Sequence, residues 1–250
     1  MQILIKIQDK RSILYGKKFT TRTELIIGKK GIDKLKNSHV LIVGVGGVGS
    51  FCVEALVRAG IGNITIVDYS EVEITDINRQ LPGLNSNIGK DKVKVVKERL
   101  KDINKNVNVN DIKVIFNNET SQSIFNNNYD YVVDAIDMVS SKIHLVEECI
   151  KRNIPIISSM GMGNKLDPTK IEVSNISNTH TCPLAKVMRK ELRDRGIDNL
   201  KVVFSTEQPI ELKEKVSNGH RILPGSISFM SPSGGLVLAS EVIKDILFKL

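Results

Sequence analysis

Tryptophan is absent, and aromatic residues make up only 4% of the 250 positions. Stacking single-stranded nucleic acid on rings needs such side chains, so that mode of recognition is excluded. Cysteine is scarce: Cys52, Cys149 and Cys182 are an odd number, with no C-x-x-C pair. They can build neither a disulfide framework nor a structural Zn²⁺ site, which takes about four Cys or His ligands. The four histidines show no metal-ligand spacing either. No metal is expected beyond an Mg²⁺ carried by a nucleotide. No apolar run approaches the roughly 20 residues that span a bilayer. The opening Met1-Gln2-Ile3-Leu4-Ile5-Lys6 is too short and too interrupted for a signal-peptide core. A cytoplasmic protein with no membrane span is expected.

What is present is an ordinary globular balance of 41% apolar and 26% charged residues, with a net charge of +8. Excess positive charge favours a polyanionic partner through counterion release. The abundance of Asn and Ile beside Lys fits a compositional habit equally well. Residues 1–22 show no clear period and read as an N-terminal arm; residues 23–250 read as one domain. A helix is expected over 23–35, and a buried parallel strand over 39–43. A helix over 50–59, capped by Gly60, and a strand over 63–68 complete a βαβ unit. Further helices are expected over 90–101 and 140–151, with strands over 111–116, 129–135 and 155–158. Such alternation implies an α/β fold: a doubly wound, Rossmann-like, mostly parallel sheet with helices on both faces. The C-terminal third is less regular, with a strand over 170–174, a basic helix over 184–195 and a closing amphipathic helix over 233–250.

Gly44-Val45-Gly46-Gly47-Val48-Gly49 joins the first strand to the second helix. Glycines there let backbone approach a phosphate, and the helix N-terminus offers amide donors and a positive dipole end. Asp68 ends the next strand, where a carboxylate accepts from ribose hydroxyls. A tight turn without a ligand is the plain alternative. The loop does not choose its nucleotide, because an NAD-dependent oxidoreductase would carry the same loop and acid.

Three features turn the reading toward ATP. Asn78-Arg79-Gln80 places a cation and two amides just beyond the ribose acid. Lys92, at the start of a helix, offers an ammonium to the same phosphates. Val133-Asp134-Ala135-Ile136-Asp137 leaves two carboxylates at the carboxyl end of a strand, and Asp137 is suited to Mg²⁺. Singly, Arg79 is a surface cation, Lys92 one lysine among many, and Asp137 a helix cap. Their order on one βαβ scaffold argues for a set.

In that order the residues resemble the adenylating domain shared by ubiquitin-activating enzymes and the bacterial activators of thiamine and molybdopterin biosynthesis. The likeness runs from about Thr23 to Ser159 and implies cleavage of ATP to AMP and pyrophosphate, with an acyl-adenylate formed. A narrower likeness rests on Ile156 to Thr169, Cys182 to Arg189, Arg221 to Ser226, and Arg22 to Gly28. Those stretches look like the tRNA threonylcarbamoyladenosine dehydratases. The resemblance implies ATP-dependent cyclisation of threonylcarbamoyladenosine next to the anticodon of tRNA. It also implies a homodimer in which Arg22 reaches the partner subunit's triphosphate, and it leaves room for a sulfur-relay protein as partner. Cys182 matches the region where some superfamily members carry an acyl or sulfur group, and Thr181-Cys182-Pro183 suits an exposed loop. Cys52 and Cys149 read as core. Lys186, Arg189, Lys190, Arg193 and Arg195 have spacings that set several on one helical face, for tRNA phosphates or simply for solvent. One alternative is adenylation of the C-terminal glycine of a small sulfur-carrier protein, whose enzymes often bear the C-x-x-C pairs missing here. A dehydrogenase is another, but it leaves Asn78-Arg79-Gln80 unexplained.

Overall fold

The computed structural model describes residues 18–214, 216–217 and 223–249. Residues 1–17 of the expected arm, and Arg221-Ile222 of the C-terminal motif, lie outside them. The chain opens with helix α1 (Thr21–Asn37), kinked at Gly28, where φ is +70°. Strand β1 (His39–Val43) then leads through the glycine loop into α2 (Gly49–Ala59) and β2 (Asn63–Val67). Helix α3 (Lys92–Ile103), strand β3 (Asn108–Ile112) and the single turn α4 (Ser121–Ile124) follow. Strand β4 (Tyr131–Asp134), helix α5 (Val139–Lys151) and strand β5 (Ile156–Ser159) come next. The last third supplies β6 (Ile171–Asn175), α6 (Pro183–Arg193), β7 (Lys201–Ser205) and α7 (Met230–Phe248).

The seven strands run in the order β3-β2-β1-β4-β5-β7-β6. Every neighbouring pair is parallel except β6 with β7. Chain direction along the sheet reverses between β1 and β4, and open α/β sheets bind ligands outside the carboxyl ends of such strands. One face of the sheet packs Val40, Ile42 and Ile64 against α2 and α7 through Val53, Leu56, Leu238 and Val242. The other face carries two clusters: Leu41, Val43 and Val132 under Leu145, and Phe204 and Val202 under Met188 and Leu192.

The sequence expectations need four corrections. The third strand lies at 108–112 rather than 111–116. The polar Asn108, Asn110 and Asp111 are tolerated because β3 is an edge strand, and Phe116 turns in to cap the core, 3% exposed. The run Lys201-Val202-Val203-Phe204-Ser205 is a strand that was not expected, inserted between β5 and β6. The closing helix starts at Met230 and is buried around more of its circumference than an amphipathic surface helix. Gly235 permits this approach: a Cβ there would lie 2.3 Å from Val48 O of the glycine loop. Lastly, the charged residues of α7 are not all outward. Asp245 is bound by Tyr131 Oη at 2.7 Å and Lys201 Nζ at 2.9 Å. Burial works against its ionised form, but these two donors hold its carboxyl below the ordinary range. No helix among the described residues is long and apolar enough to cross a membrane.

Candidate active site

The glycine loop sits at the carboxyl ends of β1 and β4. Gly44 N donates to Val67 O at 2.8 Å, which ties the loop to the end of β2. Asp68 does not hang free: its Oδ2 accepts from Val45 N at 2.9 Å, and its Oδ1 from Ser70 N at 2.9 Å and Ser70 Oγ at 2.5 Å. The carboxylate is thus fixed beside the loop.

Asn78, Arg79 and Gln80 come to the same place. A Cβ built on Gly47 would meet Arg79 Cγ at 3.3 Å and Ser231 Cβ at 3.0 Å, and one on Gly46 would meet Gln80 Nε2 at 3.7 Å. Arg79 Nη1 donates to Thr75 O at 2.8 Å and Asn78 Oδ1 at 2.9 Å, so the guanidinium is held in an extended arc along its own turn. Asn78 Nδ2 donates to Ser226 O and Oγ, both at 3.1 Å, anchoring the motif to a segment far along the chain.

The residue that organises these groups is Asp76, which the sequence reading missed. It is 5% exposed. Its Oδ1 accepts from Gln80 Nε2 at 2.5 Å, and its Oδ2 lies 3.0 Å from Lys92 Nζ and accepts from Glu73 N at 3.0 Å. Lys92 is itself buried, so its ammonium reaches the site already paired. Gln80 Oε1 is buried with no hydrogen-bond partner. Buried acceptors are normally satisfied; a nucleotide hydroxyl or amine would supply the missing donor, whereas a phosphate oxygen, itself an acceptor, would not. The signal for Asp76 was the reciprocal cap it forms with Glu73 at the turn Ile74–Asp76.

Of the two carboxylates expected to project from β4, only one does. Asp137 is exposed, two residues past Ala135, whose carbonyl abuts Gly44. Asp134 points inward and is 0% exposed; it takes Ser158 Oγ at 2.5 Å and Lys142 Nζ at 2.9 Å. The last residue of a central strand projects its side chain into the flanking layer, and only a paired carboxylate is stable there. Among the described residues no three His, Cys, Asp or Glu groups converge as a metal site. Asp137 by itself suits an ion that arrives on phosphates.

Arg22 is exposed in the first turn of α1. Its neighbour Thr20 packs at Gly60, where a Cβ would lie 3.4 Å from Thr20 Cγ2. That is the far end of α2, about 16 Å of helix from the glycine loop at 1.5 Å per residue. Within its own chain Arg22 is therefore remote from the site. Cys182 does not lie on an exposed loop. It is 2% exposed at the start of α6, with Sγ 3.9 Å from Gly161 O. The ring of apolar residues in its cluster, including Ala185 and Met188, covers the thiol. Burial pushes the Cys52 and Cys149 thiols up, as befits core positions.

The basic helix divides. Lys186, Lys190 and Arg193 are exposed at i, i+4 and i+7, one stripe of α6. Arg189 turns back, with Nη1 donating to Thr179 O and Oγ1 at 2.6 Å. Arg195 is tied to Glu191 at 3.0 Å and Glu147 at 3.2 Å. Three of the five expected phosphate contacts therefore face solvent together.

Residues 20–247 match the ThiF family. A tRNA threonylcarbamoyladenosine dehydratase of Bacillus subtilis is 45% identical over 238 residues, 91% of this chain and 94% of that protein. The crystal structure of the E. coli tRNA N6-threonylcarbamoyladenosine dehydratase in complex with ATP superposes with a TM-score of 0.85 at 32% identity. It covers 92% of this chain and 94% of the other. An adenylyltransferase and sulfurtransferase of Dictyostelium discoideum is 34% identical, over 59% of this chain and 34% of its own length.

Proposed function

The chain belongs to the ThiF family, and from that membership and its kinship with the tRNA threonylcarbamoyladenosine dehydratases we propose that it cyclises threonylcarbamoyladenosine in tRNA at the expense of ATP. The observation that carries this reading is the convergence of Arg79, Gln80 and the glycine loop outside β1 and β4. The threonyl carboxylate resists attack because it is an anion and oxide is a poor leaving group. One carboxylate oxygen attacks the α-phosphorus, the bond to the β-phosphate oxygen breaks, and pyrophosphate leaves. A nitrogen or oxygen of the same modified side chain then attacks the acyl carbon. AMP departs with the former carboxylate oxygen, the attacking group gives up its proton, and the nucleoside has lost one water. Ring closure is intramolecular, so held geometry makes it fast.

In this assignment Arg79 and Lys92 stabilise charge developing on the phosphates. Asp68 holds the ribose, while the loop at Gly44, Gly46, Gly47 and Gly49, with Asn78 and Gln80, frames the nucleotide. Asp137 fits an Mg²⁺ delivered on ATP, which when bound would neutralise phosphate charge. A homodimer is supported by Leu25 and Ile26, 69% and 85% exposed on α1 next to Arg22. Their apolar face suits a second copy, which would bring Arg22 to its neighbour's triphosphate. Cyclisation needs no thiol, and the buried Cys182 offers no accessible sulfur to a relay protein. The cytoplasm, where tRNA and ATP are found, is the location we assign.

The test is pyrophosphate release from ATP with and without threonylcarbamoyl-modified tRNA, followed by the mass of its nucleosides. ATP-dependent loss of one water is the expected result. Pyrophosphate without that mass change would point instead to a carrier protein, and absence of ATP turnover would end the adenylation reading. For tRNA binding, reversing Lys186, Lys190 and Arg193 to Glu should lower the slope of log affinity against log salt by about 3, near 0.9 per lost phosphate contact. A slope equal to wild type would remove α6 from the interface.

A further inference from the structure

Under the loops of the site lies a buried ion pair for which the chemistry above has no use. Asp134 ends β4 and Lys142 closes the first turn of α5; both side chains are 0% exposed and 2.9 Å apart. Lys142 Nζ also donates to Ile136 O at 3.1 Å and Ser159 O at 2.8 Å. Asp134 Oδ1 accepts from Ile136 N at 3.1 Å, and Oδ2 from Ser158 Oγ at 2.5 Å. Apolar residues of equal volume usually stabilise a core as well as a buried ion pair does. What they cannot do is fasten two backbone segments at once.

The two fastened segments are one wall beside the glycine loop, at 135–137, and a second wall at 159–164. Ile136 lies between Ala135, whose carbonyl abuts Gly44, and Asp137. Ser159 opens the segment that passes Cys182 at Gly161 and packs Met162 on Gly234 of α7. That segment ends at Asn164, at φ +59°, which grips Gly225: its Oδ1 accepts from Gly225 N at 2.6 Å, and its N donates to Gly225 O at 2.9 Å. The next residue, Ser226, receives Asn78 and so returns the wall to the phosphate-binding motif. Lys142 stands where these walls meet.

We propose that Lys142, with Asp134 and Ser158, is a positioning device that fixes the wall at 135–137, beside the glycine loop, against the wall at 159–164. It thereby sets Asp137 in register with the Asn78-Arg79 motif that the second wall reaches through Gly225 and Ser226. The inference rests on the adenylation reading, and wild-type turnover in the same assay reports on that reading separately.

Lys142→Met alone strands the Asp134 charge and should lower the melting temperature. The double variant Lys142→Met/Asp134→Asn removes that charge and should recover much of the stability. Ser158→Ala keeps the ion pair and is the mild member of the series. The quantities measured, per folded protein, are Kd for ATP, KM for modified tRNA, and kcat. For the double variant kcat should fall on the order of 20-fold, short of the ~100-fold that a 1 Å misplacement costs, while Kd and KM stay within about threefold. Ser158→Ala should lose about threefold in kcat with affinities unchanged. A wild-type kcat in either variant would overturn the proposal. So would a fall that merely tracks the lost folded fraction. Should the double variant not fold, Ser158→Ala decides alone.

Discussion

Arg79→Ala should lower ATP-dependent pyrophosphate release by about 100- to 1,000-fold, the usual cost of removing one preorganised donor from developing charge. The melting temperature should hardly move. Arg79 is 27% exposed, and its closest carboxylate contact is Asp76 at 3.8 Å, so the guanidinium contributes little to the fold. Lys92→Ala should match that loss of activity and differ in stability. Lys92 is the close cation of Asp76, at 3.0 Å, and both are buried. Breaking a buried pair by removing one partner costs about 3 kcal/mol or more, because a charge is left without compensation. Asp137→Ala, an exposed change, should resemble Arg79→Ala. Turnover and thermal melts on the three variants check this. Wild-type turnover in all three would remove the phosphate-binding roles, and equal stability of Lys92→Ala and Arg79→Ala would refute the buried pairing.

Gly49→Ala carries the second large effect. A Cβ there would lie 1.8 Å from Gly44 O and 3.2 Å from Ala135 Cβ. The first obstacle is backbone, so no side chain can swing away. Gly44 is itself held in place, packed against the Ala135 carbonyl and with its N donating to Val67 O at 2.8 Å. The loop must therefore open. Overpacking costs about 1–3 kcal/mol, and the upper end applies here. That corresponds to roughly 100-fold weaker ATP binding if the strain falls on the bound geometry. Gly89→Ala is the control. Its φ is +82° but nothing lies within 4 Å of the built Cβ, so it should cost about 1 kcal/mol of strain and leave ATP affinity alone. Calorimetric titration of ATP into both variants separates close approach from mere backbone strain. Equal affinities for the two would mean that the loop does not cradle the nucleotide.

The parts of the site that could be read from the sequence are those whose chemistry is local. A glycine run between an apolar strand and a helix specifies a tight strand–turn–helix junction, because backbone geometry depends on the residues themselves. Asp68 was legible for the same reason, being the first polar residue after a buried strand. Asn78-Arg79-Gln80 was legible as a cluster, although its anchor at Ser226 was not. The edge strand β3 was misplaced because its pattern is polar where one side faces solvent. β7 is not legible because its apolar core is only Val202-Val203-Phe204, flanked by Lys201 and Ser205, and so short a run in an irregular third looks the same in a loop as in a sheet.

The sequence by itself determined the βαβ order, the glycine loop, and the polar residue types that gather beside it. Period and backbone preference act over a few residues and survive in any context. Only the tertiary structure decided which carboxylate is exposed beside the loop and which is spent on the fold. Asp134 and Asp137 are three residues apart, yet one pairs with Lys142 in the core and the other is exposed. Asp76 gained its role when a turn and α3 brought Gln80 and Lys92 to its two oxygens. Cys182 lost the exposure expected of it when α6 packed on the sheet. A charge or thiol takes its character from the groups that desolvate it, and here those groups are supplied by distant segments of the chain.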